Sequence, residues 1–114
     1  MAWDDVARWQ PADLAVAFKM GDAVQPVDVR DLGYRESPIQ VKGALRVDPL
    51  EFESQVPGLP AGGELIFYCD RPGEATSLKI AMWAFDSGRS RVGVLVGGWS
   101  AWQDAGYPVE DKPA

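Results

Sequence analysis

The 114 residues suffice for one domain, expected to cover 1–114, with a hydrophobic core that needs neither disulfides nor a structural metal. Hydrophobic residues at 46% and charged residues at 25% exclude a disordered or fibrous class. Eleven basic against 17 acidic side chains give a net charge of −6, and no Lys or Arg run follows a phosphate backbone, so nucleic acid is not an expected partner.

Gln10-Pro11-Ala12-Asp13 reads as a helix start, with Pro at the first helical position and an acid in the first turn. Leu14, Ala17 and Phe18 then share a face, and Gly21 closes the helix. Val24 to Val29 is a short β-branched run, a strand that ends at Asp28-Val29-Arg30-Asp31. Leu32 to Lys42 mixes Gly, Pro, Ser and charge without periodicity and predicts a surface loop. Ala44 to Val47 is the next strand. Asp48-Pro49-Leu50-Glu51 carries the pattern of a reciprocal cap for a helix of at most two turns, stopped by Pro57-Gly58.

Glu64 to Cys69 is the clearest strand, an apolar run suited to a parallel sheet covered on both faces. After Pro72 and Gly73, the recurrence of Leu78, Ala81, Met82 and Phe85 predicts a helix ended by Gly88. Val92 to Val96 forms a further strand, Gly97-Gly98 a turn, and Trp99 to Ala105 a last helix with Gly106 and Pro108 just beyond. The polar tail from Glu110 to Ala114 is expected to fray. Alternation of strands and helices, with connections too long for hairpins, predicts an α/β fold with a parallel sheet between two helical layers.

The apolar stretches Ile80 to Phe85 and Val94 to Val96 are too short to cross a bilayer, and no secretory leader pattern opens the chain. The expectation is a soluble, cytoplasmic protein with no membrane span. One cysteine cannot make an internal disulfide, which suits a reducing compartment. Histidine is absent, which excludes a Cys-His or Ser-His pair and the commonest neutral metal ligand. Without a spaced Asp cluster of the calcium-loop type, neither a metal nor a cofactor is expected.

Ligands of open parallel sheets bind at the carboxyl ends of the strands, and Cys69 occupies such an end. A lone cysteine is more often a small buried hydrophobe than a nucleophile. Its place at a strand-to-helix turn argues the other way. The following residues, Asp70, Arg71, Gly73, Glu74, Ala75 and Thr76, open onto a helix, so their backbone N–H groups can converge on the sulfur or on an anion beside it. Arg71 favours a thiolate, whereas Asp70 and Glu74 oppose it. Of the tryptophans, Trp83 falls away from the core stripe, and Trp99 and Trp102 are expected to pack the last helix onto the sheet.

Several segments together resemble rhodanese-like domains: Val27-Asp28-Val29-Arg30-Asp31, Gly43-Ala44, Phe67-Tyr68-Cys69 with its loop, and Leu95-Val96-Gly97-Gly98-Trp99 with Trp102. The resemblance covers nearly the whole chain. It implies a three-layer α/β domain with about five parallel strands and a core of about 8–109. It also implies sulfurtransferase activity, with Cys69 accepting sulfane sulfur from thiosulfate or a persulfide donor and passing it to cyanide or a thiol, which can belong to a protein. Glu74 stands where many members carry Arg, Gln40 stands where His is usual, and the loop is up to two residues longer than the common form. Pro72, Glu74, Ala75, Thr76 and Ser77 look most like the rhodanese domains appended to DedA-type membrane proteins. A non-catalytic binding or redox-sensing module is the alternative. A phosphatase or arsenate reductase would need an Arg where this chain has Ala75.

Overall fold

Helix α1 (Pro11–Met20) begins where the sequence places it, and Asp13 accepts the Gln10 backbone N–H at 3.2 Å in a reciprocal cap. It ends at Gly21, whose φ of 71° is the left-handed conformation that glycine adopts without a Cβ penalty. The computed structural model describes residues 6–113; residues 1–5, where a leader was sought, and Ala114 of the tail lie outside the described residues. The other helices are α2 (Leu32–Glu36), α3 (Phe52–Gln55), α4 (Ala75–Asp86) and α5 (Gly98–Asp104), with single 3-10 turns at Val56–Gly58 and Pro72–Glu74.

Five strands form one parallel sheet: β1 (Ala7–Trp9), β2 (Val24–Asp28), β4 (Leu45–Arg46), β5 (Glu64–Tyr68) and β6 (Val92–Leu95). Their order is β1-β6-β5-β2-β4, so the most apolar strand is the central one. This is the α/β arrangement expected from the alternation of elements. Side chains alternate across β5. Leu65 and Phe67 join Val27, Val29, Val94 and the α4 residues Ile80, Ala81 and Ala84 in one core. Ile66 and Tyr68 join Leu14 of α1, Leu95, and Trp99 and Trp102 of α5 in the other. Full burial of side chains such as Ile66, Phe67 and Leu95 contributes roughly 1.5–3 kcal/mol each, so the two layers hold the sheet from both sides.

The structure departs from the sequence expectations at several points. Strand β1 was not foreseen; it pairs with β6 because Gly93 leaves room for Trp9, whose Cδ1 lies 2.8 Å from where a Cβ would stand. The stretch read as a surface loop holds α2 and the strand β3 (Ile39–Val41). The tail read as frayed forms β7 (Val109–Asp111), antiparallel to β3. Buried Gln40 fastens the two, its Nε2 donating to Glu110 Oε2 at 2.8 Å and to Ala44 O at 3.1 Å. Asp48 does not cap through Glu51. Its Oδ1 accepts the Leu50 N–H, its own N–H donates to Gln55 Oε1, and α3 starts only at Phe52. In α4 the fully buried stripe is Ser77, Ile80, Ala81 and Ala84, one position round from that expected, while Leu78, Met82 and Phe85 are partly buried. Trp83 packs edge-on against Phe52, with ring centroids 5.4 Å apart.

Asp28 and Arg30 project to the side of β2 away from α4, and both are wholly buried. Arg30 Nη2 reaches Asp28 Oδ2 at 2.7 Å and Ile39 O at 2.9 Å, and Nε donates to both carboxylate oxygens. The Tyr68 hydroxyl donates to Asp28 Oδ2 at 2.9 Å and accepts the Val41 N–H at 3.2 Å. The guanidinium lies 4.3 Å from the centre of the Trp99 ring, an attraction that strengthens as water is removed. Burial, and next the charge of Asp28, push the Tyr68 hydroxyl far above its ordinary value of 10.0.

Because removal of one partner strands the other charge, Asp28→Asn is expected to lower stability by about 3–5 kcal/mol in urea denaturation at pH 7. The raised Tyr68 value gives a sign as well. Its contribution is complete below pH 10, the unfolded value, and is lost as pH rises from there toward the folded value. Denaturation midpoints measured between pH 9 and 11 should therefore fall more steeply for the natural protein than for Tyr68→Phe; equal slopes would remove Tyr68 as the cause.

Candidate functional site

Cys69 follows β5 directly, and the strand's alternation carries its side chain to the same side as Leu65 and Phe67, toward α4. There it is 1% exposed. Its Sγ–H donates to Ser77 Oγ at 3.4 Å, and that hydroxyl donates in turn to Glu74 O at 3.2 Å. Ser77 is wholly buried and belongs to the first turn of α4, where backbone N–H groups lack intrahelical acceptors and the helix dipole is positive. Among the described residues, the sulfur's hydrogen-bond partner is thus a side chain rather than the loop amides expected from the sequence.

The loop between strand and helix is tightly curled. Pro72–Glu74 is a 3-10 turn in which Gly73 (φ 67°) and Glu74 (φ 57°) are both left-handed. For glutamate that conformation costs roughly 1–2 kcal/mol, so surrounding contacts must hold it. Two come from the segment after β2. Arg71 Nη2 pairs with Asp31 Oδ2 at 2.5 Å, and Asp70 Oδ1 accepts the Asp31 N–H at 3.4 Å. Gly33 lies directly against that carboxylate: a Cβ there would stand 2.0 Å from Asp70 Oδ2 and would push the Asp70 side chain aside. The hydrogen bond that Arg71 donates to Asp31, then the charge of that carboxylate, raise Arg71 above its ordinary value, so the guanidinium stays charged and paired with Asp31.

On the far wall, the Gly97-Gly98 turn packs against the backbone of Cys69. Trp99 N–H donates to Cys69 O at 3.0 Å, and a Cβ on Gly98 would stand 2.2 Å from that same oxygen. Between this turn and the loop opens a cavity of about 260 Å³ lined by Asp70, Arg71, Pro72, Gly73, Glu74, Gly97 and Ser100.

Four candidate residues, Asp70, Arg71, Gly73 and Glu74, therefore line one cavity. Ala75 and Thr76 lie in the first turn of α4 outside that lining, and Cys69 is closed off at the base of the loop. Sequence reasoning did not single out Ser77 or Asp31 as site residues. Ser77 carried a signal, since Ser77, Ile80, Ala81 and Ala84 follow i, i+3, i+4, i+7 spacing; Asp31 reaches the loop only through tertiary contact. Among the described residues, no cluster of three or more His, Cys, Asp or Glu side chains is placed to hold a metal, and no helix is long and apolar enough to cross a membrane.

The family model described as a rhodanese-like domain matches residues 11–105. Among solved structures, the chain is similar to a rhodanese-related protein from Thermoplasma volcanium, with a TM-score of 0.76 and 19% identity over 91% of this chain and 97% of the other. A protein of unknown function from Rhodopseudomonas palustris, described as a possible tyrosine phosphatase, gives 0.78 and 26% over 94% and 86%. Thiosulfate sulfurtransferase from Pseudomonas aeruginosa gives 0.71 and 24% over 94% of this chain but 20% of the other. No curated protein matches the sequence.

A closed thiol makes a kinetic expectation. Alkylation of Cys69 by iodoacetamide should be at least about tenfold slower in the folded protein than in urea, because attack needs local opening. Asp31→Asn should speed it no more than about fivefold, as befits an exposed ion pair. Equal folded and unfolded rates would contradict the closed geometry.

Proposed function

The chain belongs to the rhodanese-like domain family, and from that membership we propose that it is a sulfurtransferase in which Cys69 accepts sulfane sulfur from thiosulfate or a persulfide and passes it to a thiol or cyanide. The observation that carries this reading is the position of Cys69 at the carboxyl end of the central parallel strand, with its Sγ 3.4 Å from a hydroxyl in the first turn of α4.

In the first step the Cys69 thiolate, its proton given to solvent, attacks the outer sulfur of thiosulfate. A bond from Sγ to that sulfur forms, the sulfur–sulfonate bond breaks, and sulfite leaves with the electron pair. In the second step cyanide or a thiolate attacks the same outer sulfur, and the pair returns to Cys69 Sγ. Both steps place negative charge on sulfur. Rotation of the Ser77 hydroxyl from Glu74 O to the sulfur, together with the positive end of α4, supplies preorganised stabilisation. Asp70, Arg71, Gly73 and Glu74 would shape the space for the donor, with the backbone N–H groups of Ala75 and Thr76 at the helix start behind them. A cysteine persulfide would load Cys69 by the same exchange.

Thiosulfate:cyanide turnover and intact mass spectrometry test the reading. Cys69 should gain one sulfur atom from thiosulfate or from cysteine persulfide, and Cys69→Ser should abolish both gain and turnover. For Ser77→Ala we expect loading to slow about tenfold with little change in the donor's KM; a change confined to KM would assign Ser77 to donor binding instead.

The closure of Cys69 and the pairing of Arg71 with Asp31 favour one other reading, a non-catalytic binding or redox-sensing module. A plain thiol after exposure to both donors would establish that reading over sulfur transfer.

A further inference from the structure

Two of the surface cavities have cations and no carboxylate in their lining. In the one between residues 61–65 and 88–91 both cations are committed: the Arg89 guanidinium donates to the carbonyls of Val56, Pro57, Leu59 and Pro60, and Arg91 pairs with Glu64 at 4.0 Å. In the other they are free. This cavity, of about 490 Å³, opens between the end of α1 and the amino end of β2; Phe18, Val24, Pro26 and Pro108 supply its apolar wall, and exposed Lys19 and Lys42 its charge. Among the described residues, neither ammonium makes an ion pair or a hydrogen bond. In a chain of net charge −6, two unpaired ammoniums on one apolar cavity favour an anionic occupant with a hydrocarbon body.

The wall is set in advance. Pro108 O accepts the Trp102 Nε1–H at 2.9 Å and the Lys42 N–H at 3.2 Å, and Phe18 packs edge-on against the wholly buried Trp102, with ring centroids 5.9 Å apart. A binding surface held in this way loses little freedom when it is filled. The neighbouring strand edge narrows the occupant further. Strand β4 pairs with β2 only at Val27 and Asp28, which leaves the edge from Val24 to Pro26 open. An extended peptide gains no ladder there, because Pro26 has no N–H and its carbonyl accepts the Gln25 Nε2–H at 2.8 Å, an amide that also reaches Gly43 O at 2.9 Å.

We infer that this cavity binds a small amphipathic carboxylate, an aromatic or branched aliphatic acid, with its hydrocarbon on Phe18, Val24, Pro26 and Pro108 and its anionic group at Lys19 and Lys42. The site is separate from Cys69. Val24 pairs with Glu64 at the amino end of β5, whereas Cys69 follows the carboxyl end of that strand. The inference therefore stands or falls independently of sulfur transfer.

Phenylbutyrate serves as the probe, titrated into isotope-labelled natural protein at pH 7 and followed by amide chemical shifts, with phenylbutyramide, acetate and inorganic phosphate as controls. It should saturate shifts at Lys19, Gln25 and Gly43 while leaving residues 70–74 unmoved, and its Kd should rise severalfold between about 50 and 500 mM NaCl. An exposed ion pair contributes about two- to fivefold in affinity, so the uncharged amide should bind the natural protein about tenfold more weakly than the acid. The double variant Lys19→Gln, Lys42→Gln should keep its urea midpoint and show the same tenfold loss toward the acid. Equal affinity for acid and amide, an unchanged Kd in the double variant, shifts centred elsewhere, or no saturation by about 20 mM would overturn the inference. Acetate or phosphate binding as tightly as phenylbutyrate would also overturn it, by making charge alone the determinant. A blocked Glu-Leu-Phe-Glu peptide that competes for the same shifts with a lower Kd would assign the cavity to an acidic protein segment and overturn the small-molecule assignment.

Discussion

A guanidinium and a carboxylate buried together, Arg30 on Asp28, constrain more of this molecule than any other contact. Both are enclosed completely, and between them they touch the ends of β2 and β5 through Tyr68, the start of β3 through Ile39 O, and α5 through the Trp99 ring. Arg46 of β4 adds a donor to Arg30 O at 2.6 Å. Such a pair is not intrinsically better than packed hydrocarbon, since desolvation consumes most of the attraction. Its effect is on alternatives: any register that separated the two groups would leave a naked charge in the interior. The carboxyl end of the sheet is thereby set in one arrangement, with the β3–β7 ribbon laid over it.

That arrangement decides where the sulfur goes. Tyr68 must face Asp28, and the residue after it must face the opposite layer, so Cys69 is delivered to α4 and to Ser77 rather than to solvent. The loop then reaches the helix through two consecutive left-handed residues, one of them a glutamate, braced by the contacts of Asp31 with Arg71 and Asp70. Strain of this kind persists only where neighbouring contacts over-determine it. An enclosed thiol under a strained, braced loop is reached only where those bracing contacts give way.

The elements written in local chemistry were legible in the sequence. Pro11, Asp13 and Gly21 mark α1, the unbroken apolar run marks β5, and the Gly97-Gly98 turn marks the entry to α5. Elements that exist because something distant pairs with them were not. Strand β1 has three residues and depends on Gly93; β3 and β7 depend on each other; and the acid at Asp48 was drawn from a helix cap into contacts with Leu50 and Gln55. Cys69 could be singled out from its place at a strand end. Its closure could not, because that follows from the alternation of β5 combined with the exact face of α4, and the face assigned from Leu78, Ala81, Met82 and Phe85 was one position away. Asp31 looked like the end of a strand, and only folding brings it to Arg71.

The peptide around Cys69 is fastened on both flanks. Its own carbonyl accepts the Trp99 N–H, the preceding Tyr68 carbonyl accepts the Val29 N–H, and bare Gly98 presses against it with no side chain to yield. On the sulfur-transfer reading, Cys69 is therefore an anvil and not a hammer. With the backbone on either side of it held, access to the sulfur on that reading falls to residues 70–74, where Gly73 already takes a left-handed torsion.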